Sequence, residues 1–251
     1  MGRTPRIVTP DDELKIDIRS DVTVELVKHS AADSDVLFAA RVSTVGEQSL
    51  DELNKDPERS KGLINFLMRD RHGSPFEHNS MTFLISAPIF VFREFMRHRV
   101  GWSYNEESGR YRELQPVFYV PDTSRKLVQQ GRPGKYVFVE GTPEQHAFVQ
   151  HGMEESYRQA YRTYQEMLAQ GVAREVARSV LPVGLFSSMY ATCNARSLMH
   201  FLGLRTEHEL AKVPSFPQRE IEMVGEKMEA QWAKLMPLTH AAFNANGRVA
   251  P

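Results

Sequence analysis

The sequence predicts an α+β fold, a single domain of mixed helices and antiparallel strands. Segments with apolar residues at helical spacing outnumber segments in which apolar and polar residues alternate, and the alternating segments are spread among the helical ones. The chain has 251 residues, 41% of them hydrophobic and 25% charged, so it can bury a sizeable core. No composition shift marks an internal boundary. We therefore expect one domain over residues 21–251, preceded by a flexible N-terminal tail over the charged, aperiodic residues 1–20.

Alternating apolar residues predict four strands, over residues 22–27, 81–87, 114–120 and 186–193. Two segments lack any apolar period and contain several glycines, so we expect an ordered loop over 99–110 and a loop-rich excursion over 121–142.

Helical spacing predicts helices over residues 33–42, 57–71, 144–170 and 172–181. The helix over 144–170 carries a stripe that includes Tyr157, Tyr161 and Tyr164, which we interpret as packing residues. Asn194 has the side chain of a helix N-cap, so a helix is expected after it. Ser215 and Gln218 have the spacing of a capping box, which predicts a last long helix extending to Leu235.

Charge and cysteine content exclude several classes of protein. Lys and Arg total 31 against 32 Asp and Glu, which excludes a chain that is basic throughout and argues against a nucleic-acid partner. A single cysteine excludes an internal disulfide, a Cys-rich zinc site and a Cys-x-x-Cys redox pair. No apolar run reaches the length of about 18 residues that a membrane span needs, and the N-terminus lacks the apolar stretch of a secretory signal. We expect a cytoplasmic protein with no membrane partner.

The common nucleotide-binding signatures are missing. No Gly-x-Gly occurs, residues 131–135 lack the spacing of a phosphate-binding loop, and there is no Gly-x-Ser-x-Gly elbow. If this protein binds phosphates, side chains must carry more of that binding than they do beside a glycine-rich loop.

Residues 97–111 are the densest group of anion-binding and aromatic side chains, with the sequence Arg-His-Arg-Val-Gly-Trp-Ser-Tyr-Asn-Glu-Glu-Ser-Gly-Arg-Tyr. Arginine binds phosphate through two parallel hydrogen bonds and keeps its charge at physiological pH. An arginine-rich turn is more often a solvated surface cluster than a site. The adjoining amide, hydroxyl and aromatic residues favour a binding loop here.

Two further features have plain structural readings. His72, Glu77, His78 and His98 are possible zinc ligands, but the helical His-Glu-x-x-His spacing is absent and we assign no metal. Cys193 lies in a predicted strand, where a free cysteine is usually a small buried hydrophobic residue. This argues against a mechanism in which a thiolate is the catalytic nucleophile.

The 97–111 segment also resembles the signature of the flavin-dependent thymidylate synthases, in which Arg-His-Arg is followed by Ser after eight residues, with Asn-Glu and Arg-Tyr in place. Other blocks similar to that family occur in the right order between Val22 and Leu235. They are Ala-Arg-Val-Ser at 40–43, His-Gly-Ser-Pro-Phe-Glu-His at 72–78, Glu-Val-Ala-Arg at 175–178, Asn-Ala-Arg-Ser at 194–197 and Gly-Leu-Arg at 203–205.

The resemblance implies the reductive methylation of dUMP to dTMP. Methylenetetrahydrofolate would donate the carbon and leave as tetrahydrofolate, and NADPH would supply reducing equivalents through bound FAD. It also implies a homotetramer whose active sites are shared between subunits.

The resemblance further assigns site residues by matching positions. The residues that would bind FAD are Ser43, His72, Ser74, Arg97, His98, Arg99, Glu106, Asn194, Ala195, Arg196 and His200, the last at a position where the family often has asparagine. The residues that would bind dUMP are Glu94, Phe95, Met96, Arg97, Glu106, Glu107, Ser108, Gly109, Arg110, Arg178 and Arg205. Arg205 would also be catalytic, by polarising the uracil ring.

Two rival functions remain open. A non-catalytic nucleotide- or nucleic-acid-binding module could use the same arginine-rich patch, and it would show salt-sensitive oligonucleotide binding. A flavoprotein reductase acting on another nucleotide would keep the flavin but change the chemistry.

Overall fold

The computed structural model describes residues 14–46, 57–132 and 135–251. In chain order the strands are β1 Asp17–Arg19, β2 Thr23–Ser30, β3 Ser80–Pro88, β4 Trp102–Glu106, β5 Val117–Tyr119, β6 Val128–Arg132, β7 Lys135–Val139 and β8 Phe186–Cys193. The α-helices are α1 Asp33–Val45, α2 Pro57–Arg69, α3 Ile89–Phe95, α4 Pro143–Ala169, α5 Arg174–Ala177, α6 Ala195–Arg205, α7 Arg219–Leu235 and α8 Pro237–Ala245. Short 3₁₀ turns cover Ser74–Glu77 and Arg178–Val180.

These elements divide into two compact units. The described part of the first consists of residues 14–21, 87–90, 107–132 and 135–187, and that of the second consists of 22–46, 57–86, 91–106 and 188–251. Because each unit is assembled from several separate stretches of chain, no linker marks the division, and the sequence showed no boundary. The predicted α+β class, with helices and antiparallel strands, is confirmed.

The first unit is built around the long helix α4. Tyr157, Tyr161 and Tyr164 are buried on one face of it, together with Phe118 and other apolar residues of the first unit. The hydroxyl of Tyr157 donates to the carbonyl of Tyr119 and that of Tyr161 to the carbonyl of Leu114, each at 3.0 Å. Burial raises the pKa of both hydroxyls to about 12, so they stay protonated donors. The interpretation of this stripe as packing is confirmed.

The second unit contains a four-stranded sheet in the order β2-β3-β8-β4. Strands β2 and β3 pair antiparallel, as do β4 and β8, with Trp102 opposite Cys193 and Glu106 opposite Met189. One face of β8 is buried through Met189, Ala191 and Cys193, while Tyr190 on the other face is exposed. This strand leads directly into α6, which brings the start of that helix beside β4.

Local sequence signals account for several helix ends. Thr142 caps α4 by accepting a hydrogen bond from the amide of Gln145, whose side chain accepts from the Thr142 amide in return. Asn194 caps α6 as expected, its carbonyl oxygen accepting from the amide of Ser197 at 2.9 Å.

Four local expectations differ from the structure. Residues 17–19, expected in the flexible tail, form β1 and pair in parallel with β5; residues 1–13 of that tail lie outside the described residues. The expected loop over 99–110 contains β4, and the excursion over 121–142 contains the hairpin of β6 and β7. Ser215 is not a helix cap, because α7 begins after Gln218 and the Ser215 hydroxyl donates to the carbonyl of Thr206.

The same reason explains why the sequence did not predict strands β1 and β4. Both strands alternate between apolar and polar residues, as Ile16-Asp-Ile-Arg19 and Trp102-Ser-Tyr-Asn105, but each is short and is stabilised by pairing with a partner strand that is distant in sequence. Among the described residues, no helix is long and apolar enough to span a membrane.

Candidate functional site

A cleft of about 430 Å³ lies in the second unit, at the start of α6 and beside the segment that leads into β4. Its volume falls in the range of about 300–1,000 Å³ that is typical of small-molecule sites. Its lining residues are polar, cationic or aromatic for the most part: Glu77, His98, Arg99, Val100, Gly101, Trp102, Asn194, Arg196, Ser197 and His200.

The start of α6 is held firmly against this cleft. The Asn79 side chain accepts a hydrogen bond from the Ala195 amide at 2.8 Å, and the Ser197 hydroxyl donates to the carbonyl of Val100 at 2.9 Å. Gly101 has a φ of 70° and lies so close that a side chain there would overlap the Ser197 hydroxyl. Only glycine allows this backbone turn and this close approach together.

Arg205, at the end of α6, is the most constrained cation near the cleft. Its Nη1 donates to the Glu94 carboxylate and its Nη2 to the Glu94 carbonyl at 3.3 Å, while its Nε donates to Nε2 of His98 at 3.1 Å. The Arg205 side chain is 14% exposed. With every nitrogen engaged in a hydrogen bond, the guanidinium is fixed in place and still has N–H groups available for a ligand.

His98 is neutral in this arrangement. Burial first, and then the positive charge of Arg205, lower the pKa of His98 to about 4. Since Arg205 donates to Nε2, the proton of the neutral ring lies on Nδ1. His98 therefore offers its Nδ1–H as a donor at physiological pH.

A cluster of aromatic side chains packs against His98 and holds the backbone around it. Phe95 stacks on Phe201 with ring centroids 4.6 Å apart, and the His98 ring packs edge-on against Phe201 at 4.9 Å. The Tyr104 hydroxyl donates to the carbonyls of Phe95 and His98, at 3.0 and 2.8 Å. These contacts define the backbone path of the Arg-His-Arg segment at residues 97–99.

Arg196 forms one wall of the cleft. Its Nη1 donates to the Glu77 carboxylate and its Nε to the backbone oxygen of Pro251 at 2.6 Å. Gly73 lies against the guanidinium, since a Cβ at this position would be 2.6 Å from its central carbon. Burial, followed by the charges of Arg196 and Arg71, lowers the pKa of the neighbouring His200.

The first unit holds the other arginine-rich stretch. The Ser108 side chain accepts a long hydrogen bond, 3.4 Å, from the Arg110 amide, and the guanidinium of Arg110 pairs with Glu175 at 3.2 Å. Gly109 is buried against Leu114 and Arg178, and a Cβ there would be 2.8 Å from the Leu114 side chain. Arg112 pairs with Glu107 at 3.0 Å.

The residues expected from the sequence are therefore distributed over both units. Glu107, Ser108, Gly109, Arg110 and Arg178 belong to the first. The rest belong to the second: Ser43, His72, Ser74, Glu94, Phe95, Met96, Arg97, His98, Arg99, Glu106, Asn194, Ala195, Arg196, His200 and Arg205. In the second unit, the cleft brings together His98, Arg99, Asn194, Arg196 and His200.

Several expected site residues have no direct place in this cleft. The side chain of Phe95 is fully buried in the aromatic cluster, so its expected contact with a substrate is corrected to a packing role. Ala195 is buried and its amide is already bonded to Asn79. Ser43 is exposed on α1 and donates to its own helix at the Ala40 carbonyl, and His72 stacks on Phe66 at the surface.

Other residues in or beside the cleft were given no role of their own from the sequence. Asn79, Glu77 and Gly101 position α6 and Arg196, and Trp102 lines the cleft from β4. The glycine in the middle of the arginine-rich segment was the available signal for a close backbone approach. Nothing in the local sequence pairs Asn79 with the start of α6, 116 residues later.

Comparisons with known proteins agree with the motifs. Residues 25–238 match the family model described as thymidylate synthase complementing protein. A flavin-dependent thymidylate synthase of Streptomyces coelicolor is 87% identical over 242 residues, covering 96% of this chain and 98% of the relative. One from Tropheryma whipplei is 61% identical over 234 residues, covering 92% and 96%.

A solved structure gives the same result. The UMP/dUMP methylase PolB from Streptomyces cacaoi, bound with 5-Br dUMP, is 58% identical, with a TM-score of 0.88 over 94% of this chain and 100% of that one. The family model and the relatives cover most of the sequence, including the blocks that form the cleft. The chain therefore belongs to the flavin-dependent thymidylate synthases, a family of enzymes.

Proposed function

We propose that this protein converts dUMP to dTMP, with methylenetetrahydrofolate as carbon donor, tetrahydrofolate as product, and NADPH as the source of hydride through bound FAD. The observation that carries the proposal is the fixed cluster of Arg205, His98 and Glu94 beside the cleft, within a chain of this family.

The residues of the cleft fit a flavin nucleotide. Arg99 and Arg196 provide cationic N–H donors for phosphate oxygens, and Arg196 lies in the first turn of an 11-residue helix, whose dipole favours negative charge there. His98 provides a neutral Nδ1–H donor for a ring acceptor. When bound, the flavin supplies the redox step, and the protein supplies position and electric field.

Arg205 is the group best suited to polarise a pyrimidine. Methylation requires uracil to become nucleophilic at carbon five, which places negative charge on the ring and its oxygens. A guanidinium that is already fixed by Glu94 and His98 stabilises that charge without reorganising during the reaction. The side chain is only 14% exposed, and the limited water around it strengthens the interaction.

The dUMP phosphate would be bound by residues 106–110 of another subunit, as the family motif implies. Arg110 is exposed and pairs with Glu175 at 3.2 Å, an interaction that a dianionic phosphate can replace. Arg178, also exposed, is the further cation proposed for this part of the site. Glu94, Met96, Arg97, Glu106 and Glu107 complete the proposed dUMP set, and Ser43, His72, Ser74, Arg97, Glu106 and His200 the proposed FAD set.

A homotetramer with shared active sites is part of the same proposal. Several proposed ligand-binding side chains are exposed in the single chain, among them Ser43, Arg97, Arg99 and Arg110. Their exposure supports a site that bound ligands and a neighbouring subunit would complete. A cytoplasmic location is proposed because the reaction consumes dUMP, folate and NADPH from the metabolite pool.

The test is the absorption spectrum of the purified protein with NADPH, with and without dUMP, followed by analysis of products after methylenetetrahydrofolate is added. We expect a flavin band that NADPH bleaches, faster with dUMP present, and formation of dTMP. A protein that retains no FAD on reconstitution and forms no dTMP contradicts the proposal.

UMP is included as a second substrate because the Streptomyces cacaoi relative is a UMP/dUMP methylase. A flavoprotein reductase acting on another nucleotide would oxidise NADPH without producing dTMP.

Cys193→Ser is expected to retain most of the wild-type activity. Cys193 is 2% exposed on β8, and burial raises the pKa of its thiol well above the ordinary value, so it forms no thiolate at neutral pH. The buried hydroxyl costs about 1–3 kcal/mol in stability. Turnover is measured at a temperature where both proteins are folded, and complete loss of turnover with FAD still bound would show that the cysteine takes part in the chemistry.

A further inference from the structure

Two residues other than glycine adopt a left-handed backbone conformation within the described chain, and both are arginines. They are Arg71, with a φ of 65°, and Arg248, with a φ of 54°. This conformation is unfavourable for residues with a Cβ, so it persists where surrounding contacts require it. Both arginines hold the same stretch of chain: Arg71 binds the carbonyls of residues 249 and 250, and Arg248 directly precedes them.

Arg71 follows the end of α2, at a position where helices commonly place glycine. The amide of His72 donates to the carbonyl of Leu67 at 2.9 Å and that of Arg71 to Met68 at 3.4 Å, which is the hydrogen-bond pattern of a Schellman motif. Arginine in place of glycine projects a guanidinium from this turn. Its Nη1 donates to the carbonyls of Val249 and Ala250, at 3.2 and 2.7 Å.

Arg248 anchors the same stretch of chain from the other side. Its side chain is 1% exposed and donates to both carboxylate oxygens of Glu229, at 2.6 and 2.7 Å, and to Asn244 and Thr206. The backbone turn at Arg248 then directs residues 249–251 towards Arg71. Ala250 and Pro251 are buried.

The end of this segment reaches the cleft. The Pro251 backbone oxygen accepts the hydrogen bond from Nε of Arg196 at 2.6 Å, while Glu77 binds Nη1. Gly73, two residues after Arg71, leaves room for the Arg196 guanidinium. Arg196 is thus oriented by Glu77 on one side and by the 248–251 segment on the other.

We propose that Arg71 and the 248–251 segment position Arg196 for binding of the flavin nucleotide. This inference rests on the proposed function, because it assigns the cleft to FAD. Arg71 and Pro251 act through Arg196 and are positioning residues. A long, flexible arginine loses considerable side-chain freedom when it binds a ligand, and fixing it beforehand reduces that cost.

The test is a double-mutant cycle on FAD affinity with Arg71→Gly and Arg196→Ala. Glycine suits the left-handed turn, so Arg71→Gly removes the guanidinium without harming the backbone. We expect the Kd for FAD, measured by fluorescence titration of the apoprotein, to rise about tenfold in Arg71→Gly. The thermal midpoint of the apoprotein should stay within about 2 °C of wild type, because no buried group is lost.

The cycle separates positioning from other roles. If Arg71 acts through Arg196, the double variant binds FAD no more weakly than Arg196→Ala alone. Additive losses would mean that Arg71 contacts the flavin or supports the fold independently, and they would overturn the inference, as would an unchanged Kd in Arg71→Gly. Removal of residues 249–251 is the second variant, with the same expected dependence on Arg196.

Arg219→Ala is the matched control. Arg219 belongs to the same unit and forms ion pairs at the surface with Glu222 and Glu226, so its loss should leave the Kd for FAD unchanged. Wild-type protein that binds no FAD would contradict the proposed function. If the wild-type protein binds FAD and the Arg71→Gly variant binds it with the same Kd, this inference is contradicted and the proposed function is not.

Discussion

Arg205→Ala is expected to abolish dTMP formation while the protein keeps its yellow flavin colour. The guanidinium is the fixed cation that we assign to the developing charge on uracil, and removal of one such preorganised donor typically lowers kcat by about 10²–10³-fold. FAD should remain bound, because the other proposed cofactor residues, among them Arg99 and Arg196, are unchanged. Glu94 loses its partner, but it is 37% exposed and can be hydrated.

The measurement combines initial rates of dTMP formation with the flavin content of the same preparation. Arg219→Ala serves again as the control, since an exposed arginine on α7 has no place in the cleft, and both readings should match wild type. Normal turnover in Arg205→Ala would remove this residue from the site. Loss of the flavin together with activity would instead assign Arg205 to cofactor binding. Arg205→Lys retains the charge but not the three-nitrogen geometry and should recover little activity.

Glu229→Ala is expected to cause the largest loss of stability. Glu229 pairs with Arg248, whose side chain is 1% exposed, and it also bonds to His240 at 2.8 Å. Removing the carboxylate leaves a buried guanidinium without its counter-charge, which typically costs about 3–5 kcal/mol. For a chain of this size the thermal midpoint should fall by roughly 10 °C. Glu226→Ala, on the exposed side of the same helix, should change stability by less than about 0.5 kcal/mol.

The same carboxylate predicts how stability depends on pH. Burial opposes ionisation of Glu229, but hydrogen bonds from Arg248 and His240 outweigh it and lower the pKa to about 2, against an ordinary value of 4.5. A carboxylate whose pKa is depressed by folding stabilises the protein above its unfolded pKa, and this contribution is lost as pH falls through the folded value. The difference in unfolding free energy between wild type and Glu229→Gln should therefore be largest above pH 4.5 and shrink towards pH 2. A difference that stays constant over this range would show that packing, not charge, is responsible.

Much of the fold and of the chemistry follows from local sequence. The boundaries of β8 and α4 and the cap at Asn194 depend on residues within a few positions of each other, so short-range patterns predicted them. The ordered motif blocks predicted the family, and the comparisons confirmed it. The single cysteine already argued against thiolate chemistry, and its burial gives the same answer.

The remaining features depend on contacts between distant parts of the chain. Strand β4 was predicted as a loop because Gly101 and Gly109 interrupt its segment and its alternation covers only a few residues, and its pairing with β8 decides its conformation. Glu94 and Arg205 are separated by 111 residues, and Arg71 and Ala250 by 179, so no local pattern links either pair.

By itself, the sequence therefore determined the elements with strong local signals, such as β8 and α4, the family to which the chain belongs and the residue types that are available for anion binding. Only the tertiary structure decided that Arg205 fixes the tautomer of His98, that Phe95 is a core residue, and that residues 248–251 reach Arg196. The physical reason is that periodicity and capping are properties of neighbouring residues. Hydrogen-bond partners, burial and the resulting pKa shifts arise only when distant segments pack together.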